Sequence, residues 1–223
     1  MIGHCTSSQL VYKFWLPVIG LYTGMRVGEI CQLNPYCDIL KDKETGIWYF
    51  FISSDTEGAS DIVKSVKSGE SRVVPIHSRL IELGLLDYTD ALKESGYKRM
   101  FPLDKPREKK AGGNTSRTFR RFIENIGLRD NTTDKRISGM HAFRKTIITK
   151  SNKEGYINNM LSMIGHETEV RDGSGNLIPT VTLRYIDKDS LELPLSVKKE
   201  TIEKVKFDIE FYKPVKPVFT PES

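Results

Sequence analysis

Six residues of the chain have side chains suited to holding an anion and moving protons around it: Arg26, Lys67, His141, Arg144, His166 and Tyr185. Arg26 stands in residues 23–30, TGMRVGEI, just after a helix-breaking Thr-Gly pair and at the start of the next helix. Free backbone N–H groups and the positive end of the helix dipole favour an anion there. Glu29, three residues on, shares the helical face and can brace the guanidinium; taken alone, the pair also reads as a surface Arg–Glu contact. Lys67 sits at the mouth of a glycine-containing turn in residues 66–75, VKSGESRVVP. A lysine there offers three donors and a transferable proton, although lysines are common in turns. In residues 138–145, SGMHAFRK, His141 and Arg144 share one helical face near a helix start that Ser138 can cap. An imidazole and a two-pronged guanidinium converging there suit an oxyanion or a phosphate, and a plain surface helix has the same spacing. His166 leaves a helix that ends at Gly165, and Tyr185 lies in the short segment 182–185, TLRY.

The elements that must position these residues are mostly helical. Residues 7–40 carry apolar side chains at helical spacing, broken at Thr23-Gly24, with a second short helix over 25–33 stopped by Asn34-Pro35. Residues 47–52, 62–66 and 72–76 read as three short strands of a small antiparallel sheet, with a polar loop over 53–61 and the Lys67 turn over 67–71. Helical spacing returns at Leu80–Leu86, 119–126, 138–154 and 157–164. Residues 105–115 form a basic, glycine-containing loop, and 167–179 read as a flexible insertion. A short helix covers 182–188. Ile202, Val205, Ile209 and Tyr212 mark one face of a last amphipathic helix, and the proline-containing tail 213–223 reads as disordered. The fold class expected is mainly α with a small three-stranded antiparallel sheet (α+β), packed as one domain.

Composition sets outer limits. The 223 residues carry 34 Lys and Arg against 29 Asp and Glu, for a net charge of +5. This permits a polyanionic partner without demanding one. Three cysteines are too few for a disulfide framework. No apolar run approaches the ~20 residues that cross a bilayer, and no signal-peptide pattern opens the chain. Neither a phosphate loop nor a dinucleotide-binding glycine motif is present, and no His or Cys pair has zinc-ligand spacing, so no cofactor and no metal is expected.

Taken in order, these segments resemble the tyrosine recombinases, the phage-integrase family. TGMRVGEI resembles that family's first arginine box, KSGESRVVPI its lysine hairpin, GMHAFRK its second arginine box, MIGH its Gly-His segment and TLRY its nucleophile box. Each catalytic position of the pattern is filled by the expected residue type over roughly residues 7–190. One feature departs from it: 19 positions separate His166 from Tyr185, more than in most relatives, and the loop containing Asp172 to Asn176 accounts for the excess.

The resemblance implies the recombinase catalytic-domain fold over 1–190, a C-terminal helix over 191–212 that packs in cis or on a neighbouring protomer, and a tail over 213–223. It also implies that an N-terminal core-binding domain is absent from this chain. The implied activity is site-specific cleavage and rejoining of double-stranded DNA, in integration or excision of a mobile element. Tyr185 would attack a phosphodiester and form a 3′-phosphotyrosyl link. A phenol with a pKa near 10 is only about 0.1% ionised at pH 7, so it needs help. Arg26 and Arg144 would hold the charge developing on the phosphate, a stabilisation of roughly 3–4 kcal/mol per donor. His141 and His166 would add hydrogen bonds, and Lys67 would protonate the leaving oxygen. The ester keeps the bond energy, so neither ATP nor metal is required. Arg107, Lys109, Lys110, Arg117, Arg120 and Arg121 could contact backbone phosphates outside the site, or could be ordinary solvated surface. Self-association on DNA as a tetrameric synapse and a cytoplasmic, DNA-associated setting of bacterial or phage origin follow from the resemblance alone. The alternatives are a type IB topoisomerase-like activity, a catalytically inactive DNA-binding domain of the same fold, and, more distantly, a metal nuclease.

Overall fold

The architecture grows around one helix that is buried on nearly every side. In a computed structural model, which describes residues 11–55, 62–66, 69–102, 106, 110–128, 139–165 and 192–210, helix α1 (Val11–Thr23) buries Phe14, Trp15, Leu16, Val18, Ile19, Leu21 and Tyr22. A helix apolar on all faces must lie inside the fold, and the others wrap it. Helix α2 (Val27–Cys31) follows, then strands β1 (Ile39–Lys41), β2 (Trp48–Ile52) and β3 (Arg72–Pro75), then helices α3 (Ser78–Glu82) and α4 (Leu85–Glu94). Helices α5 (Gly113–Asn125), α6 (His141–Lys153), α7 (Ile157–Ile164) and α8 (Leu195–Glu203) complete the described elements. The described chain is thus mainly helical with a small antiparallel sheet, in the order β1-β2-β3.

The sheet has the expected size but not the expected strands. Residues 62–66 alternate in burial as a strand would, with Ile62 and Lys64 buried and Val63 exposed. They pair with no strand of the sheet, however, and side chains anchor them instead. The Ser65 N–H donates to Gln32 Oε1 (3.0 Å), and Lys64 Nζ reaches the buried Asp38 carboxylate at 2.7 Å. The third strand is instead β1, inside the stretch read as helical to residue 40. Its Ile39 pairs with Phe50 and its Lys41 with Trp48. In β3, Val74 pairs with Phe50 and Arg72 with Ile52, so the turn before β3 joins an irregular segment, not a second strand, to the sheet. Gly69 N–H closes that turn on Val66 O at 3.0 Å.

Three helical boundaries also move. The segment around Leu80–Leu86 is two helices, because Gly84 takes a left-handed φ of +91° between α3 and α4. Helix α5 begins at Gly113, inside the region read as loop. The last helix ends at Glu203: Ile202 and Val205 are buried, but Ile209 lies beyond the helix and is exposed, while Tyr212 falls outside the described residues. Helix α8 packs on α7 and β3 of the same chain. Glu203 fastens it to the start of α3 by accepting from Ser78 N–H (2.8 Å) and Ser78 Oγ (2.6 Å). The expected Ser138 cap, the helix over 182–188 and the segments 167–179 and 213–223 lie outside the described residues.

The α1–α2 corner turns on Gly24. Its φ is +66°, and a Cβ there would stand 2.7 Å from Ile147 of α6 and 2.9 Å from Ile164 of α7. This glycine therefore lets α1 end directly against the two later helices. Gly24→Ala should cost about 2–4 kcal/mol, combining left-handed strain with overpacking. Gly96→Ala, equally left-handed but with no atom within 4 Å of the new Cβ, should cost about 1 kcal/mol. Urea unfolding of both variants checks this, and equal losses would show that the corner is not tightly packed.

Candidate functional site

Where α1 stops, three residues lead to α2, with Arg26 at its N-cap in extended conformation (φ −71°, ψ 148°). Glu29 turns back over this start. Its Oε2 accepts from the Arg26 N–H at 2.8 Å, and its Oε1 accepts from Arg26 Nη1 at 3.1 Å. The carboxylate is only 3% exposed, which removes it from the class of surface pairs. A third donor comes from β3, where Arg72 Nη2 lies 2.7 Å from Glu29 Oε2. Arg72 Nε also donates to the Met163 carbonyl of α7 at 2.8 Å. Arg26 Nη2 reaches the Gly165 carbonyl just past α7 at 3.2 Å.

Arg144 enters the same cluster from α6. Its side chain is buried, and Nη1 donates to the Gly24 carbonyl at 2.9 Å. Burial first, then repulsion from Arg26 and Arg72, partly offset by attraction to Glu29, lowers its pKa to about 10. It still carries its charge at neutral pH. Glu29 experiences the opposite balance. Burial pushes its carboxyl up, but the Arg72 charge and the hydrogen bonds from Arg72 and Arg26 outweigh burial and hold it below the ordinary carboxylate value. Three guanidiniums thus surround one carboxylate. Two buried donors, Arg72 Nη1 and Arg144 Nη2, have no hydrogen-bond partner among the described residues. A buried charged donor left unpaired is costly, whereas an anion with several acceptor oxygens would satisfy it. Arg26 remains 28% exposed, so the cluster opens to solvent on its side.

The structure therefore brings together Arg26, Glu29 and Arg144 from distant segments. His141 is the first residue of α6, one turn before Arg144, and is exposed. Lys67, His166, Tyr185, Arg107 and Lys109 lie outside the described residues. Lys110, Arg117, Arg120 and Arg121 are exposed, the last three on α5. That helix starts against α2, where a Cβ on Gly112 would lie 3.4 Å from Gly28, and it meets α6 through Phe119 and Phe143, whose rings are 5.7 Å apart. Its arginines therefore sit on an element that touches both arginine-bearing helices. Arg72, within the segment 66–75, is a site residue that the motif spacing does not single out. The signal for it lies in strand alternation: Arg72 shares the core-facing phase of Val74, and a charge in that phase requires a buried partner. Among the described residues, no group of three His, Cys, Asp or Glu side chains is placed to hold a metal ion, and no helix is long and apolar enough to cross a membrane.

No family model and no curated protein matches the chain. Solved structures that resemble its fold include two recombinase complexes. One is the XerH site-specific recombinase bound to difH substrate in a pre-cleavage complex, with 20% identity, a TM-score of 0.47 and coverage of 73% of this chain and 42% of that one. The other is XerH bound to palindromic difH in a post-cleavage complex, with 19% identity, a TM-score of 0.48 and coverage of 74% and 42%. The chain thus spans less than half the length of either recombinase.

The depressed Glu29 pKa fixes the sign of a pH effect. Its stabilisation is complete above the ordinary carboxyl value of about 4.3 and is lost as pH falls through the lower folded value. Glu29→Gln should destabilise the chain by about 3–5 kcal/mol at neutral pH, because Arg72 and Arg26 lose their counter-charge. The variant should then lose less further stability on acidification than the parent. Urea unfolding across pH 3–7 measures both; parallel acid slopes would mean that Glu29 is not the titrating group.

Proposed function

We propose that the chain is the catalytic part of a site-specific DNA recombinase that cleaves and rejoins strands through a 3′-phosphotyrosyl intermediate. The observation that carries this reading is the Arg26–Glu29–Arg72–Arg144 cluster. A net excess of buried positive charge, with the Arg144 Nη2 donor unpartnered among the described residues, suits a bound phosphodiester. The order of the motifs supports the chemistry around that anion. Exposed Arg117, Arg120 and Arg121 on α5 support a polyanion over a small phosphate, since each can neutralise a backbone phosphate.

In this reading Arg26 and Arg144 hold the non-bridging oxygens, and the charge that builds on them as Tyr185 attacks is matched by donors already in place. Glu29 keeps Arg26 in its rotamer. His141 and His166 hydrogen-bond the phosphate and manage protons, and Lys67 protonates the departing 5′ oxygen. Attack forms the Tyr185 Oη–phosphorus bond and breaks the phosphorus–5′ oxygen bond. A 5′ hydroxyl from another strand then reverses the step, releasing the phenol. The ester conserves the bond energy, so ATP and a metal ion have no task in this scheme. Integration or excision of a mobile element, within a tetramer assembled on DNA, is the setting in which such exchange operates.

The test uses a nicked half-site duplex from which the cleaved 5′ end diffuses away, with the covalent adduct read on a denaturing gel. The parent chain should form adduct with EDTA present, Tyr185→Phe should form none, and Arg144→Gln should slow adduct formation by about 10²–10³-fold. Adduct from Tyr185→Phe would remove Tyr185 as nucleophile. Relaxation of supercoiled DNA without strand exchange would move the chain to the topoisomerase-like reading.

A further inference from the structure

We infer that Arg72 is the positioning residue of this site, fixing the Glu29 carboxylate, and through it Arg26, against the end of α7. The inference rests on the phosphate-site reading above. From β3, Arg72 bonds both the first arginine box and α7, through Glu29 Oε2 at 2.7 Å and Met163 O at 2.8 Å. Gly165 lies flat against it: a Cβ there would meet Arg72 Cζ at 2.9 Å and Nη1 at 3.0 Å. The same glycine carbonyl accepts from Arg26 Nη2 at 3.2 Å. The end of α7 is therefore gripped by two guanidiniums that share one carboxylate.

The sharing has a consequence for Arg26. A free carboxylate and a guanidinium close into a two-pronged pair that occupies both carboxylate oxygens and two N–H edges. Here Arg72 and the Arg26 backbone N–H both occupy Glu29 Oε2, so the Arg26 side chain is held through Oε1 alone, at 3.1 Å. The remaining N–H groups of Arg26 are left to Gly165 and to a ligand. Removing Arg72 frees Oε2 to draw the Arg26 fork inward, away from a substrate. A lysine at 72 keeps the charge, but a single nitrogen cannot reproduce a planar fork that reaches Glu29 and Met163 from separate atoms.

The experiment is done on the full chain with Arg72→Lys and Arg72→Gly, measuring half-site DNA affinity and the adduct rate constant at saturating DNA separately. Arg72→Lys should bind DNA within about twofold of the parent yet form adduct about 10²-fold more slowly, the scale of a small misplacement at a reacting centre. Added guanidinium ion should restore much of the rate of Arg72→Gly, while ammonium ion should not. A parental rate for Arg72→Lys, or affinity and rate falling together without rescue, overturns the positioning role and leaves the recombinase reading intact. A parent chain that forms no adduct overturns the recombinase reading instead. In that case thermal stabilisation by tungstate decides: present in the parent and lost in Arg72→Lys, it supports the positioning role; equal in both, or absent from the parent, it overturns it.

Discussion

The site depends on one buried anion. Among the described residues Glu29 is the carboxylate bonded to both Arg26 and Arg72, and it is the attractive partner that opposes the repulsion Arg144 receives from those two arginines. Without it, three buried or half-buried positive charges would face one another across an interior where solvent screens poorly. Each charged segment is drawn to the site by this balance. Helix α2 brings Arg26 and Glu29, β3 brings Arg72, the end of α7 supplies carbonyl acceptors, and α6 brings Arg144 to the carbonyl of Gly24. The apolar core permits this assembly because Gly24 lets α1 end flush against Ile147 and Ile164.

The balance is incomplete in one direction. One carboxylate does not neutralise three guanidiniums, the Arg144 pKa falls to about 10, and among the described residues two guanidinium nitrogens are buried without partners. A fold selected for stability alone would replace such a group with apolar side chains at little cost or with a gain. The unfavourable remainder is what a bound phosphate would relieve. Preorganised donors of this kind lower a barrier because they need no rearrangement as charge develops. Stability and binding therefore draw on the same residues in opposite senses.

The sequence made the site more legible than the topology. Arg26, Glu29 and Arg144 could be singled out because their spacing has a mechanical meaning on a helix, and the structure brings all three together. Arg72 is harder to read: alternation puts it in phase with Val74, but the partners that accept its charge, Glu29 and the Met163 carbonyl, lie far away in sequence. The same limitation explains the sheet. Residues 62–66 have strand-like alternation, but Gln32 and Asp38, far away in sequence, capture their polar groups, while the short run 39–41 becomes a strand only by pairing with β2. The end of the last helix differs from its apolar stripe for a related reason. Ile202, Val205 and Ile209 fit one helical stripe, yet Glu203 is committed to Ser78 and the helix stops there.

The most direct measurement is a crystal structure of the chain soaked with tungstate, whose anomalous signal locates a phosphate-like anion without reference to any reaction. The account predicts tungstate oxygens within hydrogen-bonding distance, about 2.7–3.2 Å, of Arg26 and of Arg144 Nη2, with Glu29 still bonded to Arg26 and Arg72. Tungstate bound only along the exposed arginines of α5, with the Arg26–Arg144 cluster unoccupied, would contradict it.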